Sequence, residues 1–294
     1  MIRVAIVGLG NIGKFAVDAV RQAPDMQLAG IIRRKAVGGE IDGAPIVEDV
    51  ADLGKVDVAL LCTPTLSVAE TAPAYLSRGI ATVDSFDVHS KITELRAQLG
   101  AAARAGGCAA VVSAGWDPGS DSVVRALLEA CAPKGITYTN FGPGMSMGHT
   151  VVVKGKQGVA GAMSLTVPAG SGVHRRMVYV QLEPGAKLED VAAAVKADPY
   201  FASDETHVIA VPDIDALIDM GHGVNMMRKG VSGESCNQQF EFSMKINNPA
   251  LTSQVMVGCA RAALRQQPGA YTMIELPLVD LLPGAREDWV AKLV

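Results

Sequence analysis

The chain opens MIRVAIVGLGNIG, an apolar run that leads directly into Gly8, Gly10 and Gly13. GxGxxG spacing at the end of a strand and the start of a helix narrows the possible folds sharply. The first glycine permits a tight turn, the second lets backbone approach a pyrophosphate, and the third lets helix and strand pack closely. The helix N-terminus then offers its free N–H groups to phosphate oxygens. A glycine turn without a ligand is the competing reading, and the position within a strand–helix–strand pattern argues against it. Gly8, Leu9, Gly10, Asn11, Ile12 and Gly13 are therefore expected to cradle a dinucleotide.

Through residue 120 short apolar runs alternate with amphipathic stretches. Strands are expected at Arg3–Val7, Leu28–Ile32, Val56–Cys62, Ala81–Asp84 and Ala109–Ser113, with helical patterns such as Lys14–Arg21 and Ile92–Arg104 between them. Such alternation implies right-handed βαβ units and a parallel sheet covered on both faces. From Gly135 the texture becomes β-rich, with one clear helix at Leu188–Lys196 and a glycine-rich loop at Phe141–His149. The expected architecture is α/β: a Rossmann-type doubly wound parallel sheet, then a second α+β domain on a mixed or antiparallel sheet. Residues 1–118 form the dinucleotide domain and 119–249 the substrate domain, while the helical 250–294 segment returns to complete the first.

Composition limits the function. Nearly half of the 294 residues are apolar but only 4% are aromatic, which fits an aliphatic core. A net charge of -4 gives no basic footprint for nucleic acid. No stretch is long and apolar enough to span a bilayer, and the N-terminal run reads as a strand, not a signal peptide. Cys62, Cys108, Cys131, Cys236 and Cys259 form no CxxC pair, so a reduced cytoplasmic setting is expected, with no metal site.

The end of the second strand distinguishes the cofactors. NAD enzymes commonly place an acid there for the ribose 2′-hydroxyl. This chain has Ile32-Arg33-Arg34-Lys35, and Arg33 and Arg34 suit the 2′-phosphate of NADP. Ligands of doubly wound sheets lie outside the carboxyl ends of the strands. Cys62, Thr63, Pro64 and Thr65, then Ser85 and Phe86, then Gly115, Trp116, Pro118 and Gly119, are expected to border the cofactor. Asp87 and Asp117 lie in the same strand-end loops. An acidic pair beside a nicotinamide points to a cationic substrate group, most simply an ammonium; turn chemistry or a surface acid is the bland alternative for each. Either Arg175 or Arg176 faces inward on its strand, where it could hold a carboxylate. His149, His222 and Asn248 have equally plain structural readings, the last as a helix cap.

VGLGNIG, IIRRK, TVDSFDVH, VVSAGWDPG, NFGPGMSMGH, VHRR, GHG and INNPALT together closely resemble meso-diaminopimelate dehydrogenase, along essentially the whole chain. The resemblance implies reversible, NADP-dependent oxidative deamination of meso-2,6-diaminopimelate at its D-centre. The products are L-2-amino-6-oxopimelate and ammonia, in lysine and diaminopimelate biosynthesis. It implies that Asp87 and Asp117 bind the D-centre amine, and as catalytic candidates either carboxylate, or a water held by one of them, could accept the amine's proton. Phe141, Met147 and Gly148 would line the pocket, with Trp116 as its wall. Thr166, Arg176, His222 and Asn248 would hold the carboxylates. A homodimer is implied as well, with the second domain supplying much of its interface. Phe141 and Met147 replace a common tryptophan and glutamine, and an insertion before VHRR is shorter, a pattern in which other D-amino acids are also accepted. The alternatives are a related NADP oxidoreductase such as dihydrodipicolinate reductase, or an NADP-sensing regulator without turnover.

Overall fold

The computed structural model describes residues 1–35, 38–217 and 221–294, and the Met147 side chain lies outside the described set. The chain divides into two units, one of Met1–Ala126 with Asn248–Val294, the other of Leu127–Asn247.

The first unit begins with strands β1 (Ile2–Val7), β2 (Met26–Ile32), β3 (Glu40–Ile41), β4 (Ala44–Val47), β5 (Val58–Leu61), β6 (Ala81–Asp84) and β7 (Ala109–Val111). Helix α1 (Asn11–Gln22) follows β1, α2 (Val68–Leu76) follows β5, α3 (Ile92–Gly106) follows β6, and α4 (Ser120–Cys131) follows β7. Alternate residues of the central strands feed two separate cores, as period-two geometry requires. Val4, Ile6, Val58, Leu60, Val83 and Val111 belong to the core that includes Ala16, Val17 and Val20 of α1. Ala5, Val7, Ala59, Leu61 and Ala110 belong to the core of α2 and α3. Burial on both faces is why these strands read as continuous apolar runs and not as alternating ones.

The second unit contains β8 (Lys134–Phe141), β9 (Gly144–Met145), α5 (Met147–Lys154), β10 (Val159–Gly170), β11 (Val173–Leu182), α6 (Leu188–Lys196), β12 (Glu205–Ala210), β13 (His222–Ser232) and β14 (Ser235–Ile246). Its strands form two sheets, a mixed one in the order β12-β11-β10-β9 and an antiparallel one in the order β14-β13-β8. Two features differ from expectation. Phe141–His149 is not a plain loop: β8 runs through Phe141, β9 follows, and His149 sits on α5. The unit therefore carries a second helix, in a segment whose Thr150-Val151-Val152-Val153 run favours strand by propensity. Packing overrides propensity there, because Val153 is fully buried in the core with Val159, Val178 and Phe201.

The chain then forms α7 (Asn248–Ala263), β15 (Gly269–Tyr271) and α8 (Arg286–Leu293), all in the first unit. Met256, Val257 and Ala260 of α7 complete the α1 core. The finished sheet runs β15-β7-β6-β5-β1-β2-β4-β3, parallel throughout except for the β3–β4 pair. The order reverses between β5 and β1, which places the binding crevice of such a sheet at their carboxyl ends.

Asp84, at the end of β6, ties two neighbouring strand ends together. Its side chain is fully buried, and Oδ1 accepts from the backbone N–H of Phe86 at 2.9 Å and of Ser113 at 3.1 Å. Its carbonyl also accepts from the Ala114 N–H at 2.7 Å. Burial pushes the carboxyl up to about 6 from 3.8, against the pull of the two N–H bonds. A folded pKa above the unfolded one means that this group's stabilisation is complete below the unfolded pKa and is lost as pH rises through about 6. Asp84→Asn keeps one acceptor oxygen and removes the charge. Thermal melts from about pH 4 to about pH 8 should show a flatter fall in stability for the variant than for the wild type, and parallel profiles would contradict the assignment.

Candidate active site

The glycine motif has the geometry of a phosphate cradle. Gly8 has φ +95°, and a Cβ there would meet the Cys62 carbonyl oxygen at 2.6 Å. A Cβ on Gly13 would meet the Gly8 carbonyl at 2.2 Å, so α1 lies closer to the turn than any side chain permits. Around Gly10, by contrast, nothing lies within 4 Å of a Cβ position. Gly10 is thus open for close approach by a ligand, and it precedes α1, whose first turn has no acid and no capping side chain. Thr63 Oγ1 is buried without a hydrogen-bond partner. The open position and the orphaned hydroxyl both fit a dinucleotide. Arg33 and Arg34 are exposed at the end of β2, and neither forms an ion pair among the described residues.

Cys62 is not reactive in this setting, since burial pushes its thiol up to about 12. All five cysteines are unpaired. Among the described residues no group of three or more His, Cys, Asp or Glu side chains could hold a metal ion.

The two acids of the strand-end loops are placed differently. Asp87 is exposed, and its Oδ1 accepts from the Thr65 hydroxyl at 2.7 Å, so the loops after β5 and β6 meet at the predicted acid. Phe86 is buried beside it and Ser85 is half-buried. Trp116 and the corner residues Gly115, Pro118 and Gly119 are buried, with the Gly115 N–H donating to the Pro118 carbonyl at 3.1 Å. Asp117 is not an open acid: Arg125 Nη1 of α4 stands 2.6 Å from its Oδ1, and His89 Nε2 lies 3.9 Å from Oδ2. Asp121, one turn before Arg125, is fully buried. Neither Arg125 nor Asp121 is singled out by sequence motifs. The available signal was their spacing, since 121 and 125 are one helical turn apart just after the Asp117 corner.

In the second unit the β10–β11 register pairs Thr166 with Arg176. Directly opposed residues of an antiparallel pair share a face, which decides the arginine question. Arg176 is the inward one: Nη1 donates to Thr166 Oγ1, and Nε donates to Asp204 Oδ2 at 2.6 Å. Arg175 points the other way and pairs with the exposed Glu205 at 2.9 Å. Asp204 is a partner that no motif marks.

Three histidines have low pKa values in the same unit, each first through burial and each also through the Arg176 charge. Their hydrogen bonds identify the tautomers. His222 Nδ1 lies 2.8 Å from the Gly223 N–H and 3.2 Å from the Gly223 carbonyl, and the shorter contact, in which Nδ1 accepts, assigns its proton to Nε2. His149 Nε2 lies 2.9 Å from the Tyr200 carbonyl and donates to it, while Nδ1 accepts from the Ser146 hydroxyl at 2.8 Å. His174 Nε2 accepts from the Phe141 N–H at 2.8 Å, which fixes the backbone of that expected pocket residue. A neutral His222 with an Nε2–H and a charged Arg176 make a donor set for an anion, and a carboxylate satisfies both. Gly148 is exposed on α5. The Met147 side chain, expected to line the pocket, lies outside the described residues. Asn248, in the first unit, is the first residue of α7, and its Oδ1 accepts from the Thr252 hydroxyl at 3.0 Å, one turn further on.

Comparison with known proteins identifies the family. The model of the family described as "Oxidoreductase family, NAD-binding Rossmann fold" matches residues 2–107. That of the "Diaminopimelic acid dehydrogenase C-terminal domain" matches residues 115–248. The chain is similar to a meso-diaminopimelate D-dehydrogenase of Bacteroides fragilis, 59% identical over 100% of this chain and 99% of the relative. The Corynebacterium glutamicum diaminopimelate dehydrogenase structure, in complex with its substrate, is similar with a TM-score of 0.87 at 32% identity, over 100% of this chain and 99% of that one. An engineered D-amino acid dehydrogenase bound to NADP+ is similar with a TM-score of 0.82 at 31% identity, again over 100% and 99% of the two chains. A glycine cradle, strand-end acids and an inward-facing arginine therefore occur on a chain that belongs to the meso-diaminopimelate dehydrogenase family.

Proposed function

We propose that the chain is an NADP-dependent dehydrogenase that oxidises the D-centre of meso-2,6-diaminopimelate. The substrate, NADP+ and water give L-2-amino-6-oxopimelate, ammonia, NADPH and a proton. The observation that carries the reading is the pairing of two complementary kinds of site on one chain. The first unit offers carboxylates for an ammonium, and the second offers Arg176, Thr166 and a neutral His222 for a carboxylate. A diamino diacid requires both kinds.

NADP, held by the Gly8–Gly13 cradle with its 2′-phosphate on Arg33 and Arg34, supplies the hydride acceptor. Asp87, held by Thr65, and Asp117 orient the D-centre amine and draw its charge to a fixed place. Trp116 forms an apolar wall that limits water beside the reacting carbon. Phe141, Met147 and Gly148 shape the substrate pocket, and Asn248 joins Thr166, Arg176 and His222 in holding carboxylates. We assign the enzyme to the cytoplasm as a homodimer, in keeping with its unpaired cysteines and with the family resemblance.

Other D-amino acids are substrates as well. In a site built around a distal carboxylate, an analogue without that group normally leaves buried donors unsatisfied. Here Arg176 already has Asp204 and Thr166 as partners, which lowers that cost. NADP reduction assayed in parallel should proceed with meso-diaminopimelate, more weakly with simple D-amino acids, and not with the L,L isomer. No turnover with any of them would leave only an NADP-binding regulator and would overturn the proposal.

Removing the two basic residues in Arg33→Ala/Arg34→Ala should raise KM for NADP by roughly ten- to a hundredfold, the scale of losing charge-assisted bonds, while KM for NAD changes little. Equal effects on the two cofactors would contradict the phosphate role. Arg176→Ala should lower kcat/KM for meso-diaminopimelate by roughly thirtyfold or more and affect D-alanine much less, since D-alanine has no distal carboxylate. Unchanged kinetics with meso-diaminopimelate would remove Arg176 from the site.

A further inference from the structure

The corner after β7 holds more charge than amine binding needs. Asp121 and Arg125 are four residues apart on α4, a spacing that stacks their side chains on one face, and the corner before the helix brings Asp117 beside Arg125. Arg125 Nη1 stands 2.6 Å from Asp117, while its Nη2 stands 3.9 Å from Asp121 Oδ2. One guanidinium thus lies between two carboxylates and is bonded to the nearer. The Asp121 side chain has no exposed surface, and its oxygens make no hydrogen bond of ordinary geometry, the Trp116 indole and Arg125 acting on it only from longer range. A buried carboxylate in that position is costly unless it is protonated or gains a cation. Burial, and then the Asp117 charge, push its carboxyl up to about 7, while Arg125 and the Trp116 indole pull it down. His89, 3.9 Å from Asp117, is the remaining titratable neighbour of the group.

This arrangement poses a problem for amine binding. An ammonium that approaches Asp117 meets an arginine already seated on Oδ1, and although one carboxylate can hold two cations, as Asp280 holds Arg265 and Arg286, the pair carries one positive charge too many unless a second carboxylate is close. Resting on the reading that Asp117 binds the substrate amine, we propose that Asp121 is the alternate seat of Arg125. As the ammonium docks on Asp117, the guanidinium passes to Asp121. Closing 3.9 Å to an ordinary ion-pair distance needs a movement of about 1 Å.

The charges balance through the exchange. Before docking, Asp117 is negative and Arg125 positive, while the buried Asp121, raised to about 7, is held in part as the neutral acid. Afterwards two carboxylates face two cations, and the proton from the Asp121 O–H has gone to water. Without Asp121 the same docking leaves an unmatched positive charge in a partly buried corner. Asp121 touches neither substrate nor cofactor in this scheme and is a positioning residue.

Asp121→Asn keeps the shape of the side chain and removes the second seat. Steady-state kinetics of the intact enzyme should show KM for meso-diaminopimelate raised about tenfold or more, with a much smaller change in kcat. Adding Arg125→Gln should bring KM back toward the wild-type value, because the competing cation is gone. Arg125→Gln alone should lower KM or leave it unchanged, whereas an arginine that merely positions Asp117 would give a raised KM on removal. An unchanged KM in Asp121→Asn, a double variant no better than Asp121→Asn, or a raised KM in Arg125→Gln alone would each overturn the exchange. If Asp121→Asn does not fold, Arg125→Gln alone decides the matter by the same criterion. A wild-type enzyme that does not reduce NADP with meso-diaminopimelate would instead overturn the functional reading, a result distinct from any pattern among the variants.

Discussion

The close approach of Gly8 to the Cys62 carbonyl, where a Cβ would leave only 2.6 Å, governs the first unit. It occurs where the strand order reverses between β1 and β5. The ends of these neighbouring strands can come together only if residue 8 has no side chain and takes a positive φ. Gly13 extends the constraint by letting α1 pack on the turn, and Gly10 leaves the space that a pyrophosphate needs. Every other strand end that bears chemistry is positioned relative to this one through the parallel sheet. Asp84 then links the loop after β6 to the loop after β7 by two backbone hydrogen bonds, so Asp87 and Asp117 are carried on braced segments.

Electrostatic design differs between the two units. The first places its acids where cations are already present or expected. Asp87 is exposed and held by a neutral hydroxyl, whereas Asp117 is half-buried and paired with Arg125. The second unit concentrates one positive charge, Arg176, among neutral histidines. Their low pKa values follow from burial beside that charge, and the result is a set of donors without an excess of cations. Asp204 moderates the arginine further. This offers a physical reason why the proposed substrate breadth and the proposed distal anion site can coexist.

Much of this was legible in the sequence because it depends on local rules. The glycine spacing, the doubly buried strands and the acids in strand-end loops follow from backbone geometry and burial. Leu188–Lys196 forms a helix at those same residues. What the sequence left open depends on which residues oppose one another. The choice between Arg175 and Arg176 required the β10–β11 register, and Asp204 became a partner only through tertiary placement. Asp121 and Arg125 are ordinary helix residues until the corner brings Asp117 beside Arg125. Met147–Lys154 was obscured because its β-branched run mimics a strand, and only the burial of Val153 makes the helix worthwhile.

The central claim is that hydride leaves the D-carbon of a diamino diacid for NADP. The most direct measurement uses meso-diaminopimelate carrying deuterium only at its D-carbon, with mass analysis of the NADPH formed. The account predicts NADPH one mass unit heavier, and unlabelled NADPH from substrate deuterated only at the L-carbon. Unlabelled NADPH from the D-labelled substrate, or labelled NADPH from the L-labelled one, would contradict it.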